Sequence, residues 1–463
     1  MGAKGGCPMY QYADEKMLPT QHQQLIPGLP DDIGLECLLR VPFQFHFHLK
    51  FVCHRWHSLI SHPSFLHQRR KSAHAELLLC LVQALPPSTL SSSNTCSRDE
   101  HNCSVTTLTE EGENTEAVEE YDEKRHNLLR ASPPLYGLSV YNATKHAWQR
   151  IVMSNRARGE IQLKIPMFCH CVVLPSASKL LLIGGWDPDT LEAVHDVYIL
   201  DFSSRQWRKG APMLTARSFF ACASVGHSTV YVAGGHDHHK NALPSAEVYD
   251  TVANEWRMLP PMGEERDECQ GLYWPGDSSG GFLVVSGYGT ESQGQFRSDA
   301  EYYDPNTESW SRVEAVWPFP NASPRAIATT ISNSGHDWSL FVAGDQEAFV
   351  HEKSKKKDDG VNYEQTMVTL PHGFSTNQSS PCVNTVGLKN GRRMIYVTGS
   401  SSSPASECNA IDGSGRSGMY SLEMEESSSS SSEGSRSSSC KWERIYTPAD
   451  FSGFAYSASC LYI

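Results

Sequence analysis

The 463-residue sequence has no uninterrupted apolar stretch approaching twenty residues, which excludes a conventional membrane-spanning helix. Its fourteen cysteines include no CxxC pair, so they read as reduced, buried thiols of a cytosolic or nuclear protein rather than as a disulfide framework. The N-terminus has no charged start followed by an apolar core, and no secretory leader is expected. A phosphate-binding glycine loop, an HExxH helix and a nucleophile elbow are all missing, so a non-catalytic protein without a cofactor is expected. There is no basic surplus either. The net charge is −13, and the segment from Asp99 to Glu123 holds ten acids with no Lys or Arg. Without a basic face to neutralise phosphates, nucleic acid is a poor partner.

What is present is a pattern written three times. Apolar runs end at Gly184-Gly185, Gly234-Gly235 and Ser286-Gly287, and each is followed by a tyrosine and a tryptophan: Tyr198 and Trp207, Tyr249 and Trp256, Tyr303 and Trp310. The second glycine recurs after 50 and then 52 residues, a period of repeat architectures built from four short strands. Glycine lets a strand end bend and approach a neighbouring backbone. Tyr and Trp supply apolar area with a polar tip left for a hydrogen bond. One such sheet cannot bury both faces, but a ring of sheets does.

This grammar resembles the kelch repeat and implies a mainly β fold, a six-bladed β-propeller. A first strand is expected at Leu77-Leu78-Leu79-Cys80-Leu81-Val82, resuming at Leu135–Tyr141 with Trp148; blades five and six are expected around Phe341-Val342-Ala343-Gly344 and Ile395-Tyr396-Val397 with Tyr420 and Trp442. The propeller is assigned to residues 76–463, with low-complexity inserts, expected to be disordered, at about 86–130 and 424–439. The C-terminal segment 453–463 is one strand too many and the first blade is one short, so it is expected to close blade one and remove the open edges.

Residues 1–24 read as a flexible start, and 25–71 as a small all-α domain. Asp31 or Asp32 is expected to cap a first helix ending before Pro42, and Leu49, Val52, Trp56 and Ile60 keep the spacing of one later helix. About 45 residues is too few for a self-sufficient core, so a partner is expected to cover the surplus apolar surface. The Leu29-Pro30-Asp31-Asp32-Ile33 opening and the Val52-Cys53-x-x-Trp56-x-x-Leu59-Ile60 helix resemble an F-box. The resemblance implies docking on the Skp1 adaptor of a cullin ligase through Leu29, Pro30, Ile33, Leu38, Val41 and Pro42. His46, His48, His54 and His57 have no paired cysteines nearby to make a zinc site.

Further stretches, among them Gly184-Gly185-Trp186-Asp187-Pro188, Ala216-Arg217-Ser218-Phe219-Phe220 and Ser286-Gly287-Tyr288-Gly289-Thr290, resemble plant F-box/kelch proteins of the branch called KISS ME DEADLY. That resemblance implies a substrate receptor of an SCF ubiquitin ligase, and with the reduced thiols a location in cytoplasm and nucleus is expected. The resemblance also implies client classes: type-B response regulators of cytokinin signalling or phenylalanine ammonia-lyase. The alternative is a free-standing kelch scaffold. Loops on one propeller face hold Trp186, Asp187, His236, Tyr288 and Arg297, together with Arg217, Arg266 and Arg325 at the starts of three successive blades. Two readings stay open. The arginines form a ring that grips client carboxylates, or each pairs with an acid of its own blade, among Asp196, Glu247 and Glu301. The His236-Asp237-His238-His239 run reads as a solvated loop, and Cys169 and Cys171 as buried thiols on one strand face.

Overall fold

The computed structural model describes residues 24–85, 134–153, 164–275, 280–331, 338–343, 347–355, 361–370, 374–375, 382–388, 392–401, 417–425 and 441–463. The expectations for the N-terminal tail, for the acidic insert and for the serine tract beyond Glu425 fall outside these residues. Two compact units result, Met1–His74 and Ala75–Ile463.

The first unit is helical: α1 Asp31–Arg40, α2 His46–Leu49, α3 His54–Ser61 and α4 Pro63–Lys71. Leu38, Leu39, Phe43, Ile60, Phe65 and Leu66 form its buried core. Two local expectations are corrected. Neither aspartate caps α1. Pro30 stands at the cap position without a side-chain bond, while Asp31 accepts from the Leu25 backbone N–H and pairs with Arg55. The single later helix is also broken, because Val52 lies in a turn and the Cys53 sulfur caps α3 by accepting from the Trp56 N–H. Arg69 is fully buried beneath this core and donates to the carbonyls of Leu39, Val41 and His74.

The second unit is the six-bladed propeller. Blade two is built from His170–Leu174, Lys179–Ile183, Val197–Asp201 and Gln206–Lys209, and blade three from Ala221–Val225, Thr229–Ala233, Ala246–Asp250 and Glu255–Leu259. Blade four comprises Gln270–Trp274, Gly281–Val285, Ala300–Asp304 and Ser309–Val313; blade five comprises Ile327–Ile331, Trp338–Ala343, Glu347–Lys355 and Val361–Thr369. Blade six has Cys382–Gly387 inside, with Phe374–Ser375 on the same neighbour, then Arg392–Ser401, Ser417–Glu425 and Trp442–Ile445. Blade one draws on both ends of the unit. Its inner strand is Ala455–Tyr462, followed outward by Leu77–Ala84, Tyr136–Asn142 and Ala147–Ile151. The closing ladder pairs Leu78 with Leu461 and Cys80 with Ser459, and Glu76 and Ile463 exchange two backbone bonds of 2.8 and 2.9 Å beyond it.

Why these residues recur is visible in the contacts. Gly235 has φ 78°, and a Cβ there would lie 2.3 Å from the Ser218 carbonyl, so only glycine allows the strand end to press against the entry of its own blade. Trp148, Trp256 and Trp310 stand directly across from Tyr141, Tyr249 and Tyr303. All three tryptophans are half-buried rather than enclosed, and their indole N–H groups reach sideways. Trp256 donates to the Ala211 carbonyl (2.8 Å), Trp310 to Pro260 (2.8 Å), Trp442 to Thr369 (2.7 Å) and Trp148 to Tyr446 (2.9 Å). Every acceptor lies at or just past the end of the preceding blade's outer strand, so the tryptophans tie blade to blade.

Blade two departs from the pattern. Trp207 faces Leu200 rather than Tyr198, and its indole N–H has no partner. Leu200 stands where Tyr249 and Tyr303 stand, one residue before the turn aspartate, and Tyr198 lies two residues further in. Pro166 occupies the place that Arg217 and Arg266 hold in the next two blades, so Asp196 is taken by the Tyr198 hydroxyl (3.0 Å) and by Lys209 (2.8 Å).

Because blade one exists only when both ends pair, removing residues 453–463 is expected to abolish the single cooperative unfolding transition of the ring in calorimetry, not merely to lower its midpoint. A truncated chain that melts cooperatively at the intact chain's temperature would contradict this closure.

Candidate functional site

Two surfaces are candidates, one in each unit. In the helical unit, α1 exposes Ile33 (48%), which shares a helix face with exposed Cys37, while Phe45, Phe51 and Val52 stand out from the turns flanking α2. Pro30 is exposed, and Leu29, Val41 and Pro42 are half-buried. Leu38 is the exception among the residues expected at the adaptor. It is 2% exposed and packs inward, so it supports the surface without belonging to it. Phe45 and Phe51, which sequence reasoning did not assign to this face, are open to solvent on either side of the four-residue α2.

On the propeller the ring of three arginines does not exist. Arg217 and Arg266 are both fully buried. Arg217 donates to the Gly234 and Ser245 carbonyls (2.9 Å each) and to Glu247 (2.7 Å), whose carboxylate also accepts the N–H groups of Leu214 and Thr215. Arg266 repeats this with the Ser286 and Asp299 carbonyls, the Asp299 carboxylate (2.8 Å) and Glu301 (3.1 Å), which accepts from Gly263 and Glu264. These arginines cross-link the turns of their own blades and are withdrawn from any client. Burial would raise the Asp299 carboxyl, but the bonds from Arg297 and Arg266 hold it below the usual carboxylate range.

The other face residues divide. Arg297 is committed to Asp299 and Glu264. Asp187 organises its own loop by accepting from Asp189 and Thr190. His236 is not in a solvated loop: it is 6% exposed, bonded to Asp267 at 2.9 Å and stacked on Phe219. Tyr288 is buried and donates to Glu268. Trp186 is half-buried against Phe168 and Phe219, with the Lys240 ammonium over its ring.

Arg325 belongs to a different set. Arg217 and Arg266 stand four residues ahead of their inner strands; Arg325 stands two ahead, like Phe168, Phe219 and Glu268. Those three have left-handed backbones (φ 57, 54 and 48°), conformations that non-glycine residues hold only when the surroundings enforce them and that concentrate at binding sites. Phe219, Glu268 and Arg325 line a small, partly open cavity to which inner strands or their entries from all six blades contribute: His170, Phe219, Glu268, Arg325, Asn384 and Tyr456 among others. Arg325 is anchored there by the carbonyls of Ala455 and Tyr456 (2.9 and 2.8 Å) and by the Phe454 and Tyr456 rings. Burial, and then the nearby Arg325, push the His170 imidazole down to about 3. Burial lifts the Glu268 carboxyl, against the opposing bond from Tyr288. Among the described residues no group of three or more His, Cys, Asp or Glu side chains is placed to hold a metal.

A kelch-type propeller carried in one chain with an F-box-like helical unit defines a class of protein, and the comparisons agree with it. Residues 26–68 match the F-box domain, and residues 131–344 match the KLHDC2/KLHL20/DRC7 Kelch-repeats domain. The chain is 42% identical over 457 residues to the F-box/kelch-repeat protein SKIP20 of Arabidopsis thaliana, covering 95% of this chain and 97% of that protein. It is 41% identical to At2g44130 of the same plant (96% and 97% covered) and 34% identical to At1g80440 (72% and 81%). The chain belongs to the plant F-box/kelch-repeat family. Its F-box and kelch domains support an SCF substrate-adaptor role.

Replacing Arg217 by Ala leaves Glu247 buried without its cation and is expected to cost about 3–5 kcal/mol in urea unfolding. His170 stays neutral in the folded state while the unfolded chain takes up a proton below its ordinary value near 6.5. Stability therefore falls as pH drops from about 6.5 towards 3, by up to about 1.4 kcal/mol per pH unit. His170→Asn is expected to remove that slope, read from unfolding midpoints between pH 7 and 4.

Proposed function

We propose that this protein is the substrate-recognition subunit of an SCF ubiquitin ligase, without catalytic chemistry of its own. The F-box docks on the Skp1 adaptor, and the propeller mouth holds a client for ubiquitination and proteasomal degradation. The observation that carries this reading is the pairing, in one chain, of a closed propeller with a small helical unit that leaves Ile33, Phe45, Phe51 and Val52 uncovered. Large apolar side chains exposed on so short a domain cost solvation free energy unless a partner buries them. Leu29, Pro30, Ile33, Val41 and Pro42 are assigned to the adaptor contact, with the cullin joined through the adaptor.

For clients, the resemblance to the KISS ME DEADLY branch favours type-B response regulators of cytokinin signalling or phenylalanine ammonia-lyase, and the proposed location, cytoplasm and nucleus, rests on reading the cysteines as reduced thiols. The client surface is assigned to Trp186 and Arg325 with Phe168, Phe219 and Glu268. Arg217 and Arg266 are left out because their guanidinium groups are consumed within the blades.

Co-purification with a Skp1 adaptor tests the reading. The full chain is expected to retain the adaptor, and Leu29→Ala combined with Pro30→Ala to lose it while the propeller still melts normally. A chain that never captures the adaptor, or a double variant that captures it as well as the parent does, would favour a free-standing kelch scaffold.

A further inference from the structure

The cavity at the propeller mouth holds more polar groups than its own hydrogen bonds use. His170 and Ser323 are each more than nine-tenths buried, and His170 Nε2 and Ser323 Oγ have no partner; Arg325 Nε is likewise unpaired. All three residues line the cavity together with Glu268. Unpaired polar atoms in such a place are costly unless a ligand meets them.

Their chemistry is mixed in a specific way. Arg325 Nε–H is a donor in want of an acceptor, and Ser323 donates or accepts. The His170 ring is neutral and bonded to the Phe220 backbone, as a donor to a carbonyl would be, which leaves Nε2 as an acceptor. The Glu268 carboxyl already accepts from Tyr288 and has lone pairs left. A carboxylate entering here would meet Arg325 but set a second negative charge beside Glu268. An ammonium would satisfy Glu268 but leave Arg325 Nε unpaired beside a like charge. A primary carboxamide meets both halves: its oxygen accepts from Arg325 and Ser323, and its NH₂ donates to His170 and Glu268.

Resting on the receptor reading above, the geometry points to a client that is held by a glutamine or asparagine side chain inserted into this cavity between Arg325, Ser323, His170 and Glu268. The half-buried rings of Phe168, Trp186 and Phe219, packed together beside the opening, offer apolar area to the residues flanking that amide. A site built to hydrogen-bond one polar group discriminates strongly against an analogue that leaves its groups unpaired.

The test is selection of an immobilised random octapeptide library by the purified full-length chain. The expected result is one position enriched about tenfold or more in Gln or Asn over Glu, Asp and Lys, the ratio that about one hydrogen bond to a charged group supplies. Ser323→Ala is expected to weaken capture of the selected peptides about tenfold. Glu268→Gln keeps the shape and removes the negative charge, so it is expected to shift selection towards Glu. Selection of acidic or basic residues by the parent chain overturns the carboxamide assignment while leaving a receptor in place. Equal capture of the same peptides by both variants also overturns it, because the amide would then bind elsewhere. If the parent retains no peptide, the assignment falls; the receptor reading falls with it only when the adaptor is not captured either.

Discussion

The whole ring depends on one ladder, the antiparallel pairing of Ala455–Tyr462 with Leu77–Ala84. Joining chain segments so far apart carries a large loop-closure cost before any contact offsets it. The structure offsets it on both sides of the closing strand. Towards its own blade the strand makes the ladder. Towards blade two, Ser457 and Ser459 accept the N–H groups of Cys171 and Val173, and towards blade six the Ala458 carbonyl accepts from Asn384. Similar side-chain bonds join other inner strands, from Thr329 to Tyr273 and from Thr385 to Thr329. With the tryptophan bonds along the outside, the junctions of blade six with blades five and one are linked at both radii. Closure reaches the site as well, since the carbonyls that hold Arg325 and the ring of Tyr456 beneath it belong to the same last strand.

The architecture was legible because its signals are packing signals. Glycine pairs, tyrosines and tryptophans recur where backbone approach and sheet-to-sheet contact leave few alternatives, and they give six blades even though blade five lacks the aromatic pair. Where the pattern misled, a residue of the expected type stood at a different position of the element. Tyr198 is spaced nine residues from Trp207 instead of seven because Leu200 fills the position opposite the tryptophan, while Tyr198 lies two residues further in and bonds Asp196. In the helical unit, the apolar spacing across Leu49, Val52, Trp56 and Ile60 hid the chain reversal that Cys53 caps. Periodicity reports which residues are apolar, and it says nothing about a turn inserted between two short helices.

The candidate site was legible only in part, and the arginines show why. Three of them near the starts of successive blades look equivalent, yet a two-residue offset from the inner strand separates a buried cross-link from a group at the mouth. The types at the second position, Phe168, Phe219, Glu268 and Arg325, do not all share one chemistry, so no motif announces them; only their distance from the strand does. That lack of a shared chemistry is what the scaffold permits. Four residues before the strand, a side chain must satisfy backbone carbonyls and an acid on the blade's third strand; where none does, in blade two, Asp196 turns to Tyr198 and Lys209. Two residues before the strand, the backbone fixes where the side chain starts but the channel leaves its chemistry open. Positions whose geometry is fixed by the ring and whose chemistry is not are the ones at which a propeller acquires a particular client, and here they combine an acid, a cation and aromatic rings around groups left without partners.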